Sequence, residues 1–269
     1  MPELPEVETI RQALDPLLRG RTVVEADAHP SPKFSSAPAA VGAEIGGVRR
    51  RGKYLLADLA GESGPWELIV HLGMTGQLGL DLDPDGAYTR AWWALDDGTT
   101  LTFRDVRRFG RIAVVPAGDH RSLPTLHAIG PEPFDDVAFT PDGLWRALHA
   151  STARVKTQLL SQRPVAGVGN IYADEALWRA EVNPATRRVG RTRAARLHEA
   201  IRDALALGLA NGGTTLRDYR TVTGEPGRNQ AALACYGRSG RPCLRCGTTL
   251  RSAVLDGRTA TWCPRCQAR

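Results

Sequence analysis

Four cysteines near one end of the chain, Cys243-x2-Cys246-x16-Cys263-x2-Cys266, restrict the fold more than any other feature. Each CxxC bends two thiolates toward one point, and two such pairs close a tetrahedron around a single zinc ion with no open position. Such a site is structural. It lets the last 44 residues, poor in core-forming side chains, hold a defined shape. Two disulfides are the alternative, and a reducing compartment disfavours them. Between the pairs, Asp256-Gly257 predicts a tight hairpin turn with Arg258 at or beside its tip, where a guanidinium can grip a phosphate. Cys235, the fifth cysteine, reads as a small apolar residue.

The zinc ribbon sits in the basic half of the chain. Residues 1–133 hold 14 Lys+Arg against 18 Asp+Glu, and residues 134–269 hold 21 against 11. The last 44 residues carry eight Arg and one Asp. This asymmetry points to a polyanion, most simply nucleic acid, with a solubilising surface as the alternative. Only three of the 35 basic residues are lysines, Lys33, Lys53 and Lys156, so each marks a place where a compact or titratable ammonium is wanted. A start without a signal region and a chain without a long apolar run predict an intracellular protein that does not enter a membrane.

Patterning divides the 269 residues into blocks. From Glu3 to about Leu18 the period is helical, with Val7, Ile10, Leu14 and Leu17 on one face and acids in the first turn. From about 22 to 115, short apolar runs such as "YLLADL", "WELIVHL" and "RIAVV" alternate with Gly, Asp and Pro turns, which predicts a β-sandwich carrying the helix. "GPEPFDD" is punctuated like a linker, and helical segments follow it. Thr140 and Asn170 are candidate N-caps and Gly212 a candidate C′ residue.

Four stretches carry possible chemistry. Gly167-x-Gly169 before Asn170 resembles an anion-binding helix start, without the third glycine of a dinucleotide fold; a well-made helix cap is the alternative. "HLGMTG" places Met74 in a turn, and "RDVRRFGR" places Phe109 among four arginines. An apolar side chain flanked by arginines on a loop is what a wedge into stacked bases requires; strand ends with Met and Phe buried are the alternative. The fourth is the opening, "MPELPEVET", which crowds Pro2, Glu3, Glu6 and Glu8 into one helical start.

In order, "PELPEVET", "RRGKYLL", "HLGMTGQL", "RDVRRFG", "GPEP", "VAGVGNIYADEAL", "NGGTTLRD", "YGRSGRPC" and the four-cysteine finger resemble the formamidopyrimidine-DNA glycosylase family. The resemblance spans the whole chain. It implies an α+β multidomain fold: a catalytic β-sandwich with a leading helix over 1–130, a linker over 131–139, a helix-two-turn-helix domain over 140–225, and a zinc finger with a β-hairpin over 226–269. It implies one structural zinc and a bifunctional glycosylase and AP lyase of bacterial base excision repair. The enzyme would be monomeric and cytoplasmic and would remove oxidised purines from duplex DNA. Pro2, exposed by loss of Met1, becomes the nucleophile; Glu3 the acid/base; Glu6 a support of the N-terminus; Lys53 a phosphate ligand. Lys156, Asn170 and Arg258 become DNA-backbone contacts, and Met74, Arg107 and Phe109 the trio that fills the gap left by a flipped nucleotide. Glu8 has no matching role and reads as a solvated helix residue.

Three positions depart from the family pattern. Arg228 and Asn229 stand where aromatics usually continue the lesion-capping loop, and Val106 stands where proline is common. Two rivals remain: an endonuclease VIII-like enzyme for oxidised pyrimidines, against which Leu4 and the "RRFG" run argue, and a catalytically silent zinc-ribbon DNA-binding protein.

Overall fold

In the computed structural model, which describes residues 1–61, 64–80, 82–222 and 224–268, the leading helix α1 runs Leu4–Leu18 with Glu3 as its N-cap. Val7, Ile10 and Leu14 are buried as expected, but Leu18 replaces Leu17 on the core face. At 100° per residue Leu18 lies only about 20° from Val7 around the helix, whereas Leu17 lies about 80° away.

Eight strands follow: β1 (Val23–Ala28), β2 (Glu44–Arg51), β3 (Tyr54–Gly61), β4 (Gly64–His71), β5 (Gly76–Gly79), β6 (Thr89–Leu95), β7 (Thr100–Asp105) and β8 (Arg111–Pro116). They form two antiparallel four-stranded sheets, ordered β2-β3-β4-β8 and β1-β6-β7-β5. Their inner faces and α1 share one core, in which Trp93, Phe34 and Phe103 are the largest fully buried side chains. The Trp93 indole N–H donates to the Ala37 carbonyl at 3.0 Å, so the ring is buried without an orphaned donor. The helix is pinned to β2 by Asp15, whose carboxylate accepts the Val48 N–H at 2.7 Å; that bond holds Asp15 below the usual carboxylate range.

A short helix α2 (Pro124–His127) ends this part, and helices α3 (Pro141–His149), α4 (Val155–Leu160), α5 (Asn170–Arg179) and α6 (Arg191–Ala210) come next. Thr140 caps α3 by accepting the Gly143 N–H at 3.1 Å, and Gly212 follows the α6 C-cap Asn211 with φ +65°. The finger hairpin is β9 (Arg251–Leu255) and β10 (Arg258–Trp262). Its turn has φ +49° at Asp256 and +79° at Gly257, the sign pattern of a type I′ turn.

The chain gathers into two units, Met1–His127 with Gly212–Arg228, and Ala128–Asn211 with Asn229–Arg269. Sequence order divides the chain at 130, 139 and 225, but in space Gly212–Arg228 clusters with the sandwich, because Tyr219 joins that core.

Candidate active site and metal centre

In the first unit, Pro2 and Glu3 are buried at the start of α1. Glu6, one turn on, is 1% exposed. Its carboxylate accepts the Glu3 N–H at 2.8 Å through one oxygen and the Thr214 N–H at 2.6 Å through the other. A buried carboxylate needs such donors, and charge makes these bonds strong. The stretch "NGGTTLRD" is explained by this contact. At Gly213, φ is +84° and an added Cβ would lie 2.9 Å from the Glu6 Cγ, so only glycine lets the chain pass over the carboxylate.

Glu8 is not a solvated surface acid. It pairs with Arg11 at 2.8 Å and with Arg50 on β2 at 3.0 Å. Arg50 comes from the strand packed beneath the helix, so burial and a cross-element partner replace solvation.

Lys53 lies in the two-residue turn Gly52–Lys53 joining β2 to β3 and is 6% exposed. It charges its surroundings: burial first, then the Lys53 ammonium and then Arg111, bring the pKa of His71 down to about 4, so that imidazole is neutral at pH 7. The Tyr54 ring lies against His71 with centroids 4.7 Å apart and the planes tilted by 38°.

Met74 occupies a turn after β4 and is half-buried. Phe109 is 47% exposed, not the buried strand-end residue of the alternative reading, and the Arg107 guanidinium lies 4.6 Å from its ring centroid. An exposed phenyl ring beside a guanidinium is the arrangement that a wedge into stacked bases requires.

In the second unit, Asn170 is the first residue of α5 rather than its cap; Gly169 takes the cap position with φ −120°. The half-buried Asn170 side-chain oxygen finds no hydrogen-bond partner among the described residues. Arg258 is exposed at the first position of β10. Lys156 is the exception among the expected DNA contacts. It is 1% exposed, and its ammonium donates to Asp174 and to the Thr259 carbonyl, both at 2.6 Å. In this structure it braces α4 and α5 against the finger instead of presenting its charge at the surface. Burial pulls Asp174 up to about 6, opposed by Lys156 and by the Thr261 N–H.

Sequence reasoning missed Glu175. Its buried carboxylate takes the backbone N–H groups of Ala234, Cys235 and Tyr236 at 3.1, 2.7 and 2.9 Å, and so fixes the entry to the finger. The acid in "YADEAL" was visible, but its partners lie about 60 positions further along. Cys235 is buried with its thiol on the Thr261 carbonyl at 3.1 Å, and burial pushes that thiol's pKa up, which suits an unreactive packing residue. Asn229 is likewise buried and accepts from Asn211 at 3.1 Å, whereas Arg228 is exposed.

The four cysteine sulfurs of the finger all lie within 4.8 Å of one another. A tetrahedral zinc with Zn–S bonds of about 2.3 Å needs sulfurs about 3.8 Å apart, so the cluster fits this ion. The surroundings fit as well. Trp178 donates its indole N–H to the Cys243 sulfur at 3.4 Å, and the Cys266 N–H points at the Cys263 sulfur at 3.3 Å. No helix among the described residues is long and apolar enough to cross a membrane.

Comparison with known proteins covers the whole chain. Residues 1–112 match the model of the formamidopyrimidine-DNA glycosylase N-terminal domain, residues 129–220 that of the formamidopyrimidine-DNA glycosylase H2TH domain, and residues 240–269 the zinc finger found in FPG and IleRS. A formamidopyrimidine-DNA glycosylase of Deinococcus radiodurans is 46% identical, covering 99% of this chain and 97% of the relative. The crystal structure of MutM (Fpg) from Thermus thermophilus matches with a TM-score of 0.92 at 44% identity, covering 100% and 99% of the two chains. A Lactococcus lactis Fpg variant bound to Fapy-dG-containing DNA matches at 0.87 and 32% identity, covering both chains fully.

Proposed function

The chain belongs to the formamidopyrimidine-DNA glycosylase family, and on that premise we propose that Pro2, freed by removal of Met1, is the nucleophile with which it excises damaged bases. It is a DNA glycosylase of base excision repair, and AP lyase activity is general to the family. Oxidised purines in duplex DNA are the substrate.

The Pro2 nitrogen bonds to C1′ of the lesion's deoxyribose while the glycosidic C–N bond breaks and the base leaves with the electron pair. The attached nitrogen passes its proton to the departing base, Glu3 protonates the ring oxygen as the C1′–O4′ bond breaks, and the nitrogen lone pair closes a cationic iminium. That electron sink acidifies the C2′ hydrogen. Loss of this proton expels the 3′ phosphate, and a second elimination expels the 5′ phosphate. A free α-amine has a pKa of about 7.7–8.0, so a useful fraction is neutral near pH 7. The α1 N-terminus disfavours further positive charge there, and the neighbouring glutamates favour it.

Lys53 binds a phosphate beside the lesion. Asn170 and Arg258 hold the flanking phosphates, and Lys156 contributes by fixing the finger's position. Met74, Arg107 and Phe109 fill the vacated stack, with Arg107 reading the orphaned cytosine. Zinc, when bound by Cys243, Cys246, Cys263 and Cys266, supplies only a structural cross-link. Catalysis belongs to 1–130, the linker to 131–139, duplex binding to 140–225 and the finger to 226–269, in a monomeric cytoplasmic enzyme.

The grip of Glu6 on the Glu3 N–H carries this reading, because it fixes the residue beside Pro2 at the mouth of a helix. Borohydride trapping on duplexes with 8-oxoguanine opposite cytosine, or with an oxidised pyrimidine, tests it. A covalent adduct mainly on the first, lost in Pro2→Gly, is expected. An adduct mainly on the second would move the protein to the endonuclease VIII side. DNA binding without any adduct would leave a silent binder.

A further inference from the structure

We infer that Asp105 is a positioning residue that couples the two loops of the gap-filling trio, so that the wedge and the reader of the opposite base are set by one carboxylate. The inference rests on the reading of Met74, Arg107 and Phe109 given above.

Asp105 ends β7 and is 0% exposed. One carboxylate oxygen accepts the Thr75 hydroxyl at 2.5 Å and the Arg107 N–H at 3.2 Å; the other accepts the Gly110 N–H at 2.7 Å. Thr75 is the neighbour of Met74. Arg107 and Gly110 bracket the segment that carries the exposed Phe109. Its own main chain is equally fixed: the Asp105 N–H donates to the Tyr88 carbonyl at 2.9 Å, and its carbonyl accepts from Arg90 Nε at 2.8 Å.

The backs of the two loops touch. A Cβ at Gly73, where φ is +66°, would sit 2.5 Å from the Gly110 nitrogen, and one at Gly110 would sit 2.6 Å from the Phe103 ring. Neither loop can shift alone without opening this contact or stripping a donor from a buried carboxylate. From outside, the Lys33 ammonium donates to the Arg108 carbonyl at 2.8 Å, where φ is +53°. Lys33, the one lysine that the family resemblance leaves without a role, thereby props the same loop.

The test uses Asp105→Asn, which keeps the side-chain shape. In either amide orientation a donor faces a donor, so one loop is released. The readout is kcat/KM for 8-oxoguanine opposite cytosine against opposite adenine. Asp105→Asn is expected to reduce that ratio at least tenfold while adduct formation with a preformed abasic site in single-stranded DNA, which needs no opposite-base reading, stays within about threefold. Thr75→Val, a milder change, is expected to lower the ratio about threefold, with Thr75→Ser restoring it. A ratio within twofold of the parent in both Asp105→Asn and Thr75→Val overturns the inference. If Arg107→Ala also leaves the ratio unchanged, the assignment of the trio falls with it; if the parent forms no adduct on any DNA, the Pro2 assignment fails instead.

Discussion

Replacing Glu6 by Gln removes one charge and one acceptor from a carboxylate that holds two buried N–H groups at 2.8 and 2.6 Å. Gln keeps one acceptor and turns an amide N–H₂ toward the other donor. One charge-assisted bond, worth about 1.5–3 kcal/mol, is lost, and a buried N–H is left facing another donor at a further cost of about 1–3 kcal/mol. The total of about 2.5–6 kcal/mol lowers Tm by roughly 5–24 °C at about 2–4 °C per kcal/mol for a domain of this size. The Glu3 backbone also loses its fixed position, and a misplacement of about 1 Å at a reacting group costs about 100-fold. Single-turnover borohydride trapping should therefore slow about 10- to 100-fold, with DNA affinity measured separately to exclude a binding defect. Glu8→Gln in the same helix breaks only partly exposed ion pairs and should cost about 1 kcal/mol or less. A Glu6→Gln protein that melts within 2 °C of its parent and is trapped within twofold of its rate would refute the argument.

Three further outcomes are expected. Chelation of zinc, or Cys266→Ala, should unfold the β9–β10 hairpin and abolish duplex binding while the sandwich keeps its own melting transition, followed by calorimetry and fluorescence anisotropy. His71 is held neutral down to about pH 4 against an ordinary value of 6.5, so the unfolded chain binds the proton first. Stability contributed by this residue is then complete above pH 6.5 and lost as pH falls toward 4, by about 3 kcal/mol at most, and His71→Phe should flatten that limb of a denaturation-against-pH curve. Lys156→Met strands Asp174 without its cation and should cost about 3–5 kcal/mol, seen as a lower melting temperature and faster proteolysis at the finger, whereas the double change Lys156→Met with Asp174→Leu should recover much of it.

What the sequence disclosed was local. Cys243 to Cys266, the Asp256-Gly257 turn and the Thr140 cap each act within one element, and the spacing alone predicts them. The motifs of the N-terminus and the loops were legible through family resemblance, although nothing local explained "NGGTTLRD". Its cause is Glu6, more than 200 positions earlier. Glu175 and Asp105 escaped for the same reason: a buried carboxylate is recognised by its donors, and those donors arrive from other segments. Asn170 was misplaced by one residue because Gly169 can cap a helix without a side chain. Lys156 resembles a DNA-backbone contact in the sequence, because a sequence shows charge and conceals Asp174, the partner that neutralises it.

Helix α5 has a mechanical consequence. It begins at Asn170, carries Asp174 and Glu175 bonded to the finger's backbone, and ends beside the metal site with Trp178 on Cys243. The two phosphate grips proposed at Asn170 and Arg258 would then be jaws of one caliper, tied together through these bonds. A caliper does not adjust to what it measures. A duplex whose phosphates fall short of that gap has to be bent to meet it, and the elastic cost depends on how stiff the stack is at that step. With the grips as proposed, softened, damaged steps would yield most cheaply to such a gap.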